Sequence, residues 1–174
     1  MTRLNNVKKC ELDGVLEISA PTYFEDFRGK YIELYNERIY AESGVNINFI
    51  QDDVSISGKG VLRGIHGDSE TWKLVSCLYG SFYLVVCNND PKSKQYMQWV
   101  SFSMSGTTNK QILIPPKFGN GHLVLSDIAI FHYKQSTEYN REGQFTIKWD
   151  DPKFNFWWPN LNPITSERDK GYQI

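Results

Sequence analysis

A chain of 174 residues with a formal net charge of -1, 40% hydrophobic and 22% charged, has a globular composition and not a disordered one. It is long enough to bury roughly two thirds of its unfolded surface, and with no internal repeat, low-complexity block or linker, 1–174 reads as one domain. The near-neutral charge leaves no basic footprint for nucleic acid, and no apolar run reaches the roughly 18 residues of a membrane-spanning helix. The polar start MTRLNNVKKCELDG lacks the apolar core of a signal peptide. Cys10, Cys77 and Cys87 are odd in number and form no CxxC, which argues against a disulfide framework or a thiolate zinc site and fits a reducing cytoplasm. Aromatic residues reach 14%, and histidine chemistry can come only from His66, His122 and His132.

In chain order, strand signals dominate. KYIELY (Lys30–Tyr35) mixes apolar and polar positions at period two. The spacing predicts a short helix over Glu37–Ser43, ended by Gly44. Leu74–Cys77 and Ser81–Cys87 are β-rich runs joined by Leu78, Tyr79 and Gly80, which reads as a hairpin. Gln98–Ser103 and Lys110–Ile114 predict two more strands, and Pro115–His122 a loop entering the next. Leu123–Leu125, Ala129–Tyr133 and Phe145–Lys148 complete the strands, and 165–170 predicts a final turn capped by Thr165 or Ser166. Trp149, Trp157 and Trp158 are expected in the core or in a lid. Short strands punctuated by Gly, Asn and Pro argue for an all-β sandwich or barrel, read here as a jelly roll.

The densest polar stretch is Gln51–Lys73, where Gly58, Gly60, Gly64 and Gly67 alternate with Arg63, His66 and Lys73. Glycines let backbone approach a ligand, and Arg and Lys suit anionic groups; the bland alternative is a glycine-rich hairpin with exposed charges. His66 becomes chemically useful with a carboxylate to orient it. Asp68 qualifies if the strand continues, and Asp169 if the C-terminal turn returns. His66, Asp68 and His122 also suggest a divalent metal, against which stands the absence of the usual close histidine pair with a downstream acid.

The ordered series FEDFRG (24–29), FIQDDVS (49–55), GVLRGIH (60–66), Lys73-Leu74-Val75, Ile114-Pro115, LVLS (123–126), Tyr133-Lys134, WDDP (149–152) and SERD (166–169) resembles the dTDP-4-dehydrorhamnose 3,5-epimerase family of cupin-type sugar-nucleotide enzymes. The resemblance implies a jelly-roll homodimer with strand exchange, no metal and no organic cofactor, and a nucleotide-diphosphate 4-keto-6-deoxy sugar as substrate. By matching position, His66 is the base that removes a proton next to the ketone. Asp169 is its partner, Tyr133 the acid on the opposite sugar face, and Lys73 the cation beside the ketone oxygen. Arg28, Gln51 and Arg63 match ligand-binding positions, with Arg28 reaching into the partner subunit, and Phe24 and Glu33 are weaker matches. A ketone acidifies its neighbouring C–H bonds, imidazole is a base near neutral pH, and a cation stabilises the enolate oxygen.

Departures from the family pattern bear on the substrate. His-Tyr-Gln after Arg-Gly becomes His66-Gly67-Asp68 once the intervening Ile65 is passed, Ala-His-Gly-Phe becomes Gly119-Asn120-Gly121-His122, and Gln-Asp-Asn becomes Gln51-Asp52-Asp53. Asn120, at the place of a histidine, is counted among the substrate-binding positions. Gly67 is expected to remove a ring from the site and admit a bulkier sugar. Together the changes resemble the branch acting on GDP-6-deoxy-4-keto heptoses for bacterial capsules. A 3,4-ketoisomerase and a non-catalytic sugar-nucleotide binder are the alternative readings.

Overall fold

The computed structural model describes residues 7–20 and 22–171. The first half contributes β1 (Val7–Lys9), β2 (Leu16–Ser19), β3 (Thr22–Asp26), β4 (Gly29–Glu33), α1 (Glu37–Glu42), β5 (Gln51–Gly58), β6 (Leu62–Gly67), β7 (Lys73–Tyr79) and β8 (Ser81–Asn88). The second half adds β9 (Trp99–Ser105), β10 (Lys110–Ile114), β11 (Phe118–Val124), β12 (Ile128–Gln135) and β13 (Phe145–Thr146). They form a six-stranded sheet in the order β1-β2-β10-β7-β12-β5 and a five-stranded sheet in the order β13-β6-β11-β8-β9. All the pairings within these sheets are antiparallel, giving the jelly-roll, cupin-type architecture. β3 and β4 form a separate two-stranded ribbon.

Three apolar layers hold the sheets. Between them, Val75, Phe131 and Ile112 from one sheet meet Phe82, Leu84 and Met104 from the other. Outside the six-stranded sheet, Ile39 and Tyr40 of α1 cover Leu74 and Leu113. Outside the five-stranded sheet, Phe154 and Trp158 cover Leu62, Val85 and Cys87. Each large side chain so buried contributes about 1.5–3 kcal/mol. The outer layers explain why β7 and β8 read as continuous apolar runs: successive side chains enter different layers, and both are buried. Of the three C-terminal tryptophans, Trp158 is core at 3% exposure, donating from Nε1 to Trp149 O at 2.8 Å, while Trp157 is exposed.

α1 forms where expected. Asn36 caps it, accepting from Ile39 N at 3.3 Å, and the chain leaves through Ser43 and Gly44. On its buried face Tyr40 donates to Gln111 Oε1, while Gln111 Nε2 donates to Leu34 O and Ser76 Oγ. This satisfies a buried amide on β10 and ties the helix to the sheet.

Two local expectations are corrected. β7 and β8 are not a hairpin; they lie in different sheets, and the chain crosses between them at Gly80. Gly80 has φ +70°, and a Cβ there would sit 2.0 Å from Ile128 O. Both runs are apolar on both faces, so local pattern cannot tell pairing within a sheet from crossing between sheets. The predicted loop before Leu123 also belongs largely to β11, which starts at Phe118 because β6 and β8 pair with it on its two sides. Gly64 and Gly121 allow that approach: a Cβ on Gly64 would lie 2.4 Å from Gly121 Cα. Gly80→Ala is expected to lower the unfolding free energy by about 2–3 kcal/mol through overpacking and backbone strain, read as a shifted denaturation midpoint.

Candidate active site

A cavity of about 340 Å³ opens where the inner faces of the two sheets turn from apolar to polar. β6 contributes Arg63 and His66, and β7 contributes Lys73. β11 contributes Asn120 and His122, β12 contributes Phe131 and Tyr133, and the C-terminal turn adds Ser166, Arg168 and Asp169. His66 and Asn120 thus belong to one sheet, and Lys73 and Tyr133 to the sheet that faces it.

His66 is held at both nitrogens. Nε2 lies 2.7 Å from Asp169 Oδ1 and Nδ1 lies 3.2 Å from Thr146 Oγ1, which also accepts from Arg168 Nε at 3.0 Å. A carboxylate only accepts, so Nε2 carries the proton toward Asp169 and Nδ1 is the basic nitrogen. Asp169 is 3% exposed and fully engaged: Ser166 Oγ donates to Oδ2 at 2.8 Å and Gly64 N to Oδ1 at 3.3 Å. Burial raises its pKa, but the hydrogen bonds from His66 and Ser166 outweigh it and hold the carboxyl below the usual carboxylate range. Ser166 Oγ also accepts from Asp169 N at 3.2 Å, so the capping serine of the final turn places the carboxylate.

Asp68 is not the partner of His66. Its Oδ1 accepts from Glu70 N at 2.9 Å and Thr71 N at 2.7 Å, because the strand ends at Gly67 and the chain turns. It lies outside this cavity, and among the described residues no three His, Cys, Asp or Glu side chains gather as metal ligands. Gly67 does not enlarge the sugar site either. A Cβ there would meet Phe118 O at 2.2 Å and Phe145 Cζ at 2.5 Å, so Phe145, its partner on β13, fills the space.

Lys73 is 5% exposed, with Nζ donating to Asn120 Oδ1 at 3.2 Å. Burial lowers its pKa to about 8, against the opposing pull of Asp68. Tyr133 projects from the facing sheet; burial, then the nearby Asp53 carboxylate and Tyr139, push its hydroxyl well above the usual tyrosine range. It therefore stays protonated. Asp53 is held by Gln51 Nε2 at 2.8 Å and Gln135 Nε2 at 2.6 Å, and Gln51 Oε1 accepts from Tyr139 N at 2.8 Å.

Of the residues singled out in the sequence, His66, Lys73, Asn120, Tyr133, Asp169 and Arg63 meet around this cavity. Gln51 stands behind it, through Asp53 and Tyr139. Arg28, Phe24 and Glu33 do not line it within one chain. Phe24 and Arg28 lie on the exposed β3–β4 ribbon, where Arg28 pairs with Asp26 at 2.6 Å, and Glu33 accepts from Asn36 Nδ2 at 3.0 Å. Thr146, Arg141 and Gln144 were not anticipated: Arg141 and Gln144 lie in polar connecting sequence with no motif, and Thr146, on the short strand β13, carries no motif that marks it as a site residue. Arg168 could have been found from its place beside Asp169.

A jelly roll with this polar cavity between its sheets is the framework of the cupin-type sugar-nucleotide epimerases, which are isomerases. The sequence model of the dTDP-4-dehydrorhamnose 3,5-epimerase family matches residues 9–174. The dTDP-4-dehydrorhamnose 3,5-epimerase of Shigella flexneri is 38% identical over 168 residues, covering 94% of this chain and 92% of the relative. Among solved structures, the dTDP-6-deoxy-D-glucose-3,5-epimerase of Legionella pneumophila in complex with dTDP-4-keto-L-rhamnose superimposes with a TM-score of 0.89 at 34% identity, covering 95% of this chain and 90% of that one. A 4-keto-6-deoxy sugar epimerase from the novobiocin gene cluster of Streptomyces spheroides gives a TM-score of 0.89 at 26% identity, covering 95% and 84%. The chain belongs to the dTDP-4-dehydrorhamnose 3,5-epimerase family and is a sugar-nucleotide epimerase. Among the described residues no helix is long and apolar enough to cross a membrane.

The buried amine of Lys73 yields a stability prediction. Its folded pKa lies below the roughly 10.4 of an unfolded lysine, so the unfolded chain binds more protons in between and wild-type stability rises with pH from about 8 to about 10. Lys73→Met is expected to be more stable at pH 7 by about 1–3 kcal/mol, an advantage that narrows across that range in urea titrations.

Proposed function

We propose that this chain epimerises a nucleotide-linked 4-keto-6-deoxy sugar at C3, C5 or both, without a metal or organic cofactor, through an enolate. The observation that carries the reading is the His66–Asp169 pair on one sheet facing Lys73 and Tyr133 on the other across one cavity. The His66 imidazole removes the proton next to the ketone, and Asp169 stabilises the imidazolium that results. The electron pair of the broken C–H bond moves to the ketone oxygen, where the buried Lys73 ammonium stabilises the charge. Tyr133, held as the neutral phenol, returns a proton to the same carbon from the opposite face, which inverts it. Arg63 brings a guanidinium group to the cavity wall, suited to a diphosphate, while Arg168 is held by Thr146 and Gln144.

The Legionella relative holds a dTDP-linked 4-keto sugar, which supports this substrate class. Asn120 and His122 support the finer reading of a GDP-linked 6-deoxy-4-keto heptose for a bacterial surface polysaccharide; Gly67 lends it no weight, because Phe145 occupies that space. Incubation with dTDP- and GDP-linked 4-keto sugars in heavy water is expected to place deuterium at the inverted carbon. His66→Ala should slow exchange by at least about a hundredfold. Exchange at the wild-type rate in that variant would remove His66 as the base, and movement of the carbonyl to C3 in carbon NMR would indicate a ketoisomerase. Lys73 loses its charge above about 8, so kcat/KM should fall on the alkaline side of that pH.

The reading includes a homodimer. β5 is the edge strand of its sheet and exposes Val54 and Ile56, while the projecting β3–β4 ribbon exposes Phe24 and, at its turn, Phe27 at 97%. Strand exchange through these features would carry Arg28 toward the partner's cavity. Light scattering should give twice the chain mass, and Ile56→Lys should shift it toward the monomer.

A further inference from the structure

The walls of the cavity are built in two levels. Strand pairing sets Asn120 opposite His66 and, after a bulge, His122 opposite Arg63. On the facing sheet Tyr133 and Phe131 step along β12 in the same way, with Phe131 opposite Ser55 of β5. Side-chain contacts match the levels across the gap: Lys73 reaches Asn120 at 3.2 Å, and His122 stacks on Phe131 with ring centroids 4.2 Å apart and planes 7° apart. One level holds His66, Asn120 and Tyr133, and Lys73, which pairs with Gln135 one step further along, reaches into it with its amine. The other, two residues or roughly 7 Å along the strands, holds Arg63, His122, Phe131 and Ser55.

The second level contains polar groups that are unpaired among the described residues. His122 is 4% exposed and lines the cavity, yet among the described residues Nε2 is enclosed without a hydrogen-bond partner. Ser55 Oγ, also in the cavity wall, is enclosed and unpartnered in the same way. Burial, reinforced by the positive charge of Arg63, holds His122 neutral, its pKa near 3. A phenyl ring would keep the stack on Phe131 without an unpaired nitrogen, so packing alone does not explain a histidine here.

Resting on the epimerase reading above, we infer that His122, with Ser55, is a specificity-determining residue that hydrogen-bonds the C2 hydroxyl of the sugar. C3, C4 and C5 must lie at the first level, where the proton carriers and Lys73 are. The diphosphate on C1 is drawn to Arg63 at the second. The carbon between them is C2, and the polar group it carries is a hydroxyl. Nε2 of a neutral imidazole makes one hydrogen bond, as donor or acceptor according to the tautomer, and the Ser55 hydroxyl beside it can take the complementary role; a sugar hydroxyl, which both donates and accepts, answers the pair in either tautomer, whereas a phosphate oxygen would only accept. Because these groups have no partner among the described residues, a sugar lacking that hydroxyl leaves them unpaired and is rejected.

The test compares 4-keto-6-deoxyglucose with its 2-deoxy counterpart, each on dTDP and GDP, by deuterium incorporation and by calorimetric binding. Wild type should favour the 2-hydroxy sugar by at least about tenfold in kcat/KM. His122→Phe should reduce that preference to less than about threefold while melting at a higher temperature than wild type, His122→Gln should restore part of it, and Ser55→Ala should weaken it. Equal use of both sugars by wild type, or an unchanged preference in His122→Phe and Ser55→Ala, overturns the assignment. If wild type incorporates no deuterium from any of the sugars, the epimerase reading falls and the binding constants of the same pairs decide the role of His122. Absence of binding overturns both.

Discussion

Asp169 can orient His66 only because the end of the described chain folds back onto the five-stranded sheet. Its carboxylate meets the imidazole at 2.7 Å, the backbone of Gly64 at 3.3 Å and the hydroxyl of Ser166 at 2.8 Å. One buried anion thus joins the last turn, the backbone of β6 at Gly64 and the histidine of the cavity. The energetics favour such an arrangement: a buried carboxylate is costly unless every oxygen is paired, and here both oxygens are. The same bonds align the imidazole, so the burial that would destabilise a lone carboxylate gives His66 a fixed orientation and leaves its other nitrogen basic.

The facing wall is built on the opposite electrostatic principle. Burial lowers the pKa of Lys73, whose hydrogen-bond partner is an amide oxygen, to about 8, and Tyr133 is kept protonated by burial and by Asp53. An incompletely neutralised cation in a low-dielectric pocket stabilises an anion formed beside it far more strongly than one in water would. The fold bears that cost because the apolar layers on either side of each sheet supply the stability. Tyr40 and Gln111 fasten one outer layer, and Trp158 and Phe154 the other.

Much of the architecture was legible along the chain. The strand runs were marked by alternation and turn residues, and the end of the helix by Gly44. Asp169 was one of two carboxylates that could meet His66. Choosing between them required knowing that β6 stops at Gly67, so that Asp68 turns to cap the backbone of Glu70 and Thr71. The crossing at Gly80 was hidden because β7 and β8 are buried on both faces. Gly67 was misread because a missing side chain in sequence says nothing about which neighbour takes its place.

The sequence by itself determined the element types, the family and the residue kinds available for chemistry, because these depend on local periodicity and on ordered motifs. The tertiary structure decided which of those residues share a cavity. It put His66 and Tyr133 on opposing sheets, left Phe24 and Arg28 on a ribbon away from the cavity of their own chain, and placed His122 and Ser55 in its wall without partners among the described residues. The physical reason is that strand order within a sheet, and the crossing from one sheet to the other, are set by contacts between residues far apart in the chain, which no local pattern encodes.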